Sequence, residues 1–443
     1  MNVRRRRFLQ ATGAATVAAL AGCTGDDGDG NDSDGNGGGG GGGGNGSGGG
    51  GGSGSLKLGV LVPFSGEYAW VGENVLPVAR LVAQEINDDG GIGGEQVSLV
   101  QGDTEASPDA SLSAAKKLVN VDGVAGIIGP TSLTFSAVSD FFRENQVPVV
   151  SPTAGTTALN DVGGEYIFRT VPSDTLGGRA IAKAARQKEF NTVQSYEQMG
   201  LMVGNAQALQ SFKQPISSSF EEFGGTITES LDFKTGKAAY QSEVQTMLDS
   251  DPEIITLVAS PEDSVKIMQA AFQAGYEGNW FVTQDQTNQD FLEQTSEKVT
   301  QGILGLQEAD NPDAAESGRV EEFVSAYKEA NDGSEPGLFA KNTYDAMVVM
   351  GLAMTATAQA GEDFTGSNLA PHIPEVANPP EQTVTTYADG AAAIREGTDV
   401  NYEGLVGPID FDDVGDIQSP FAVMKSDSNA WEQVAVLPAD QLT

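Results

Sequence analysis

From residue 56 to residue 150, short apolar runs alternate with stretches whose apolar positions recur every three or four residues. The run Leu56-Lys57-Leu58-Gly59-Val60-Leu61-Val62 has the length and continuity of a buried strand. After it, Val75, Ala79, Val82 and Ile86 fall on one helical face, and Asn87-Asp88-Asp89-Gly90-Gly91 stops the helix. The pattern continues as strand 97–100, helix 109–120, strand 124–128, a helix with Phe135, Val138 and Phe142 on one face, and strand 147–150. Strands that alternate with helices in this way predict parallel pairing through helical crossovers, a doubly wound α/β sheet.

A second series follows: helix 175–188, a strand around Val193, helix 205–223, strand 227–233, helix 238–249 and strand 254–259. It closes with a helix that turns Val265, Met268 and Phe272 inward and with strand 280–282. Two such series predict two similar lobes. Strand 303–306, helices 313–331 and 339–360, a loop-rich stretch 361–385, helix 386–396 and short strands near 409–411, 421–425 and 434–437 complete the chain. These late elements have to pack on lobes already built, so the chain is expected to cross between lobes several times.

Charge and composition narrow the function classes. The chain of 443 residues holds 24 basic and 62 acidic groups, a net charge of -38, whose field repels polyanions and excludes nucleic acid as a partner. A single cysteine and a single histidine leave no disulfide framework, no Cys/His zinc site and no thiol triad; any Ser–His chemistry would rest on His372, read here as a loop residue between Pro371 and Pro374. The acid pairs Asp103/Glu105 and Asp412/Asp413 lack a base partner, no phosphate-binding Gly-x4-Gly-Lys-Ser/Thr occurs, and neither an enzyme nor a cofactor is expected. The acids are scattered rather than gathered on one stretch, the pattern of a halophile surface kept hydrated in concentrated salt.

The N-terminus carries the most specific local signal. Residues 1–22 contain four arginines and no acid, followed by a weakly apolar run, Ala11 to Ala21, too short to span a membrane. Arg5-Arg6 with Phe8-Leu9, closed by Leu20-Ala21-Gly22-Cys23, resembles a twin-arginine lipoprotein signal, which implies removal of residues 1–22 and lipidation of Cys23. From Thr24 to Ser55 there are 19 glycines in 32 residues, a composition that buries nothing and reads as a flexible tether; with Cys23 it forms an anchor segment, 23–55.

Ligands of open α/β sheets sit beyond the carboxyl ends of the strands, where N–H groups and helix starts converge. Two neighbouring strand ends are rich in hydroxyls: Gly129-Pro130-Thr131-Ser132-Leu133-Thr134 and Ser151-Pro152-Thr153-Ala154-Gly155-Thr156-Thr157. Read singly, Ser132, Thr134, Thr153 and Thr156 are helix N-caps; two such ends side by side favour a cradle for a carboxylate. In the second series, Val282-Thr283-Gln284-Asp285 ends a strand with an acid, either a cap or the partner of an ammonium group.

The stretches Gly59–Gly66, Ile128-Gly129-Pro130, Val147–Pro152, Phe168-Arg169-Thr170-Val171-Pro172-Ser173-Asp174, Thr343–Ala346 and Tyr402–Asp412, in this order, resemble the leucine/isoleucine/valine-binding family of ABC-transporter solute-binding proteins over essentially all of 56–443. The resemblance implies a type I periplasmic-binding-protein fold: two Rossmann-like lobes, 56–172 plus 307–411 and 173–306 plus 412–443, joined by three hinge crossovers near 170–174, 306–312 and 410–418. It implies a non-catalytic receptor on the outer face of the membrane that delivers a small solute to permease and ATPase subunits. By the same resemblance Ser132 and Thr153 match the carboxylate cradle, Asp285 the ammonium-binding acid and Phe339 a pocket aromatic, with Trp70, Thr134, Gly155, Thr156 and Ser260 completing the expected site. Gly155 stands where the family pattern has a threonine, Val71 where it often has a tyrosine, and Val203-Gly204 and Ser260 at two further aromatic positions. An amide, a urea-type solute or an aromatic acid therefore stays open beside a branched-chain amino acid, as does a sensing role.

Overall fold

The computed structural model describes residues 55–379 and 382–442; the expected signal, Cys23 and the tether up to residue 54 lie outside them. Five parallel strands form the first sheet: β1 (Ser55–Val62), β2 (Gln96–Asp103), β3 (Gly126–Ile128), β4 (Val149–Ser151) and β5 (Ile167–Arg169), in the order β2-β1-β3-β4-β5. The second sheet begins with parallel β6 (Gln198–Gly204), β7 (Thr226–Phe233), β8 (Ile254–Val258), β9 (Asn279–Val282) and β10 (Leu304–Glu308). A small parallel pair, β11 (Gln382–Val384) and β12 (Val400–Tyr402), stands apart, while the antiparallel β13 (Phe421–Asp427) and β14 (Ala430–Leu437) extend the second sheet to the order β14-β13-β10-β9-β8-β6-β7. Each sheet reverses its winding once, between β1 and β3 and between β6 and β8, which is where such sheets bind ligands.

Strand periodicity sorts the core. In β1, Leu58, Val60 and Val62 point into one apolar cluster and Leu61 into another, so both faces of the first sheet are buried. The first face is covered by Val75, Ala79, Val82 and Ile86 of helix Ala69–Asp88 and by Ala346 to Met354 of helix Ala340–Gln359. Phe135, Val138 and Phe142 of helix Phe135–Glu144 cover the other. The second sheet repeats the design, with Leu201 and Val203 facing helix Asp174–Arg186 and Met202 facing Val244, Ile267 and Met268.

The chain passes between the sheets three times, after β5, after β10 and before β13. Asn342 ties the first two passages together: its Nδ2 donates to Thr170 O at 2.9 Å and to Glu308 Oε2 at 2.7 Å, while Thr170 Oγ1 donates to Asn342 O at 2.8 Å. The other Glu308 oxygen is buried without a hydrogen-bond partner, and burial pushes this carboxyl up to about 8, Asn342 and the Lys341 charge pulling the other way. The folded state therefore prefers protonated Glu308, a contribution present below the ordinary glutamate range and lost as pH rises through about 8. Glu308→Gln should accordingly raise the thermal midpoint at pH 9 relative to wild type, by roughly 1–2 kcal/mol of stability, and change it little at pH 5. A variant curve parallel to wild type across that range would remove Glu308 from the pH dependence.

Several local expectations change. The strand placed around Val193 is β6, since Val193 is held on the side chain of Asn191 and the buried run is Met199 to Val203. Helix 205–223 is two pieces, Gln207–Gln210 and Lys213–Glu222, and helix 313–331 breaks at Gly318, whose φ is +82°. Phe272 does not point inward but is 38% exposed. The loop-rich stretch 361–385 contains helix Gly366–Glu375, which tolerates Pro371 and Pro374 because Leu369, Ala370 and Ile373 bury its inner face. His372 thus lies on a helix, its Nδ1 2.7 Å from Glu375 Oε2. No strand forms at 409–411; β12 and an isolated bridge between Glu403 and Pro408 take its place.

Candidate functional site

The loops at the carboxyl ends of both sheets line one cavity of about 120 Å³. After β1 come Tyr68 and Trp70, after β3 Thr131 and Ser132, and after β4 Thr153 and Gly155. From the second sheet come Leu209 after β6, Ser260 after β8, Asp285 after β9 and Gln307 in β10. Phe339 completes the wall, stacked on Trp70 with ring centroids 6.2 Å apart and planes 13° from parallel. Its backbone is left-handed at φ +67°, a conformation that costs a bulky residue energy and is found where a side chain has to be aimed.

The hydroxyl loops are built by buried hydrogen bonds. Ser151 Oγ donates to Pro130 O at 2.7 Å and accepts from Ala154 N at 2.9 Å, which turns the chain sharply after β4. Thr153 Oγ1 donates to Pro130 O at 3.3 Å, joining the two loops, and Ser132 Oγ accepts from Thr156 N at 3.2 Å. Beneath them Arg169, fully buried, donates through Nη1 to the carbonyls of Ala154, Gly155 and Thr156 and through Nη2 to Asn160 and Asp416.

Of the nine ligand-site residues expected from sequence, Trp70, Ser132, Thr153, Gly155, Ser260, Asp285 and Phe339 line this cavity. Thr134 and Thr156 are buried and not among its lining residues; Thr156 Oγ1 accepts from Ala158 N at 3.3 Å, capping the turn Thr157–Asp161. Ser260 does both, lining the cavity and accepting from Asp263 N at 3.2 Å as the cap of helix Pro261–Gln273.

Asp285 caps nothing. Its carboxylate has neither a hydrogen bond nor an ion pair among the described residues, and burial pushes it up to about 6. Tyr68 beside it is pushed up to about 12 by burial and by the charges of Glu67, Asp285 and Asp263, so this end of the cavity is strongly electronegative. Sequence reasoning did not place Tyr68, Thr131, Gln307 or Asp174 in the site. Asp174 opens helix Asp174–Arg186, where an acid reads as a partner of the helix dipole, yet it lines the cavity. No Lys or Arg lines the cavity among the described residues; besides Ser173, Thr283 and Gln284, its remaining wall is largely apolar, with Val71, Leu133, Ile181, Leu209, Phe212 and Phe421. Such a lining suits a small solute with an apolar body and a cationic nitrogen.

Comparison with known proteins supplies a frame for this geometry. A family model described as periplasmic binding protein matches residues 55–430. The Leu/Ile/Val-binding protein BraC3 of Rhizobium johnstonii is 36% identical over 129 residues, 29% of this chain and 35% of that protein, so the match spans about a third of this curated relative. The leucine-binding protein LivK of Thermotoga maritima superposes with a TM-score of 0.71 at 22% identity, over 87% of this chain and 99% of that one. A solute-binding protein of an ABC transporter from R. palustris, in complex with benzoate, superposes with a TM-score of 0.69 at 19% identity, over 87% and 97%. At these identities the superpositions carry the fold.

Proposed function

Because this chain belongs to the periplasmic binding protein family, we propose that it is the extracytoplasmic solute-binding component of an ABC importer, holding a small amine-bearing solute of the branched-chain amino-acid type. The observation that carries this reading is Asp285, a cavity carboxylate with no partner in the protein among the described residues. A partly buried carboxylate without a partner gains from a cation or donors, and an ammonium group supplies them. The apolar wall and the Trp70–Phe339 stack would take the solute's body, and Ser132 and Thr153 its second polar group, with Ser260 and Gly155 shaping the floor. Thr134 and Thr156 would act from behind, supporting the hydroxyl loops. The three passages between the sheets serve as the hinge, and the solute favours closure only as far as it binds the closed form more tightly.

Lipidated Cys23 and the Gly-rich tether would hold the protein to the outer face of the membrane, where permease and ATPase subunits complete the transporter. A reading as a receptor for aromatic acids, which the benzoate-bound neighbour raises, asks for a cation to balance the lone carboxylate, and among the described residues this wall has no Lys or Arg and two acids, Asp174 and Asp285. Calorimetric titration separates the two. Leucine, isoleucine or valine should bind, while benzoate and 4-methylpentanoate, which lack the amine, should not; binding of benzoate without any of the amines would overturn the proposal.

A further inference from the structure

We propose that Gln207 and Ser136 form a latch across the mouth of the cavity, which sets how fast a solute enters and leaves without adding to how tightly it is held. The inference rests on the fold and the cavity alone and holds for any solute.

The segment between β6 and helix Lys213–Glu222 is braced against the second sheet. Gln210 Nε2 donates to Gly204 O at 2.9 Å and to Asp232 Oδ1 at 3.2 Å, and Lys213 Nζ lies 2.7 Å from the same Asp232 oxygen. Ser211 Oγ donates to Asp174, the first residue of helix Asp174–Arg186. Ala208 and Leu209, on this braced segment, line the cavity, and Leu133 lines it from the loop after β3. From the same segment Gln207 reaches the other half of the molecule. Its Nε2 donates to Ser136 Oγ at 2.6 Å, and Ser136 stands in the first turn of helix Phe135–Glu144, which packs on the first sheet.

Among the described residues, the other hydrogen bonds that join the two halves lie at or beside the passages between the sheets, as do Asp174 N to Gly155 O, Asn160 Nδ2 to Thr175 Oγ1 and Arg169 to Asp416. Rotation of one half against the other about those passages has to break the Gln207–Ser136 bond before the mouth can widen. Both residues are exposed and neither lines the cavity, so the bond involves no atom of the solute. It therefore favours closure by the same factor in the free and the bound protein. A common factor cancels from the affinity and remains in the rates of opening. Both partners are also neutral, so salt does not screen the bond as it would an exposed ion pair.

Gln207→Ala, Ser136→Ala and the double variant of the full chain test this by hydrogen–deuterium exchange and stopped-flow binding. In the free protein, peptides spanning 131–136 and 205–212 should exchange about three- to tenfold faster in either single variant, the effect of one lost hydrogen bond. The double variant should be no faster than the singles, because the two residues share one bond. Gln207→Ala has to act on 131–136, which lies on the opposite half, a response that a purely local disturbance does not give. Unchanged exchange in β1 and β8 verifies that the variants keep the fold. With leucine as the probe, entry and exit rates should rise together, leaving the dissociation constant within about twofold of wild type. Exchange at 131–136 unmoved by Gln207→Ala, or additive effects in the double variant, would overturn the latch. An exit rate that rises while entry stays fixed would make the pair part of the grip on the solute and end the assignment as well. If leucine does not bind, the amine reading falls and the exchange measurement still decides the latch.

Discussion

Asp285→Ala should weaken binding of the amine-bearing solute about a hundredfold or more, because truncating one member of a desolvated charge pair costs roughly 2–5 kcal/mol. The same change should leave the ligand-free protein as stable as before, or slightly more so. Asp285 has no partner in the fold among the described residues, and burial raises it to about 6, so ionised Asp285 is a cost that the ligand-free protein carries above that pH. The sign follows: the folded state favours the protonated acid, stability falls as pH rises through about 6, and alanine removes that fall. Asp285→Asn tests charge apart from shape and should lose most of the affinity too. Calorimetry and a thermal melt on the same preparations check both halves. A variant that keeps its affinity and melts lower would make Asp285 a structural residue and end the assignment.

Arg169→Ala should be the most damaging single change to stability. The guanidinium is fully buried, holds three consecutive carbonyls of the loop after β4 and reaches Asp416 in the third passage between the sheets. Alanine would leave those carbonyls and the Asp416 carboxylate buried without partners, a loss of about 3–5 kcal/mol for a broken buried pair. A fall of roughly 5–10 °C in the thermal midpoint is expected, together with weaker ligand binding, since Gly155 belongs to the loop that is released. Arg169→Lys keeps the charge but lacks the fork and should recover only part of the loss. A melt within a degree of wild type would show that the loop holds its shape without the arginine.

How far the sequence revealed the fold depended on period. Where one face of a helix or both faces of a strand are buried, as in helix Ala69–Asp88 and in β1, the apolar spacing located the element. Where packing overrides the local pattern, it did not. Met199-Gly200-Leu201 dilutes the strand signal of β6 with a glycine, and Pro371 and Pro374 disguise a helix held by its buried side. Phe272 sits at helical spacing yet faces solvent, because periodicity fixes a face to within a residue and not its burial. At the site, hydroxyl-rich strand ends and a terminal acid pointed to Ser132, Thr153 and Asp285, and the family resemblance added Trp70, Gly155, Ser260 and Phe339. Asp174 was hidden because its first-turn position on a helix explains an acid without any ligand. Its place in the cavity wall emerges only when its Oδ1 proves to fill the space that a side chain on Gly155, 19 positions away in sequence, would take.

The three passages between the sheets also govern the order in which the protein can be made. All five strands of the first sheet are complete by Arg169, yet the apolar cluster on one of its faces takes residues from Ala346 to Ile417. A ribosome that has released the first sheet must therefore add well over a hundred further residues before that face is sealed from water. The second sheet waits longer still, since β13 and β14 come last in the chain. Neither half is continuous in sequence, so a truncation that removes the final hairpin should yield an aggregating product rather than a smaller folded protein.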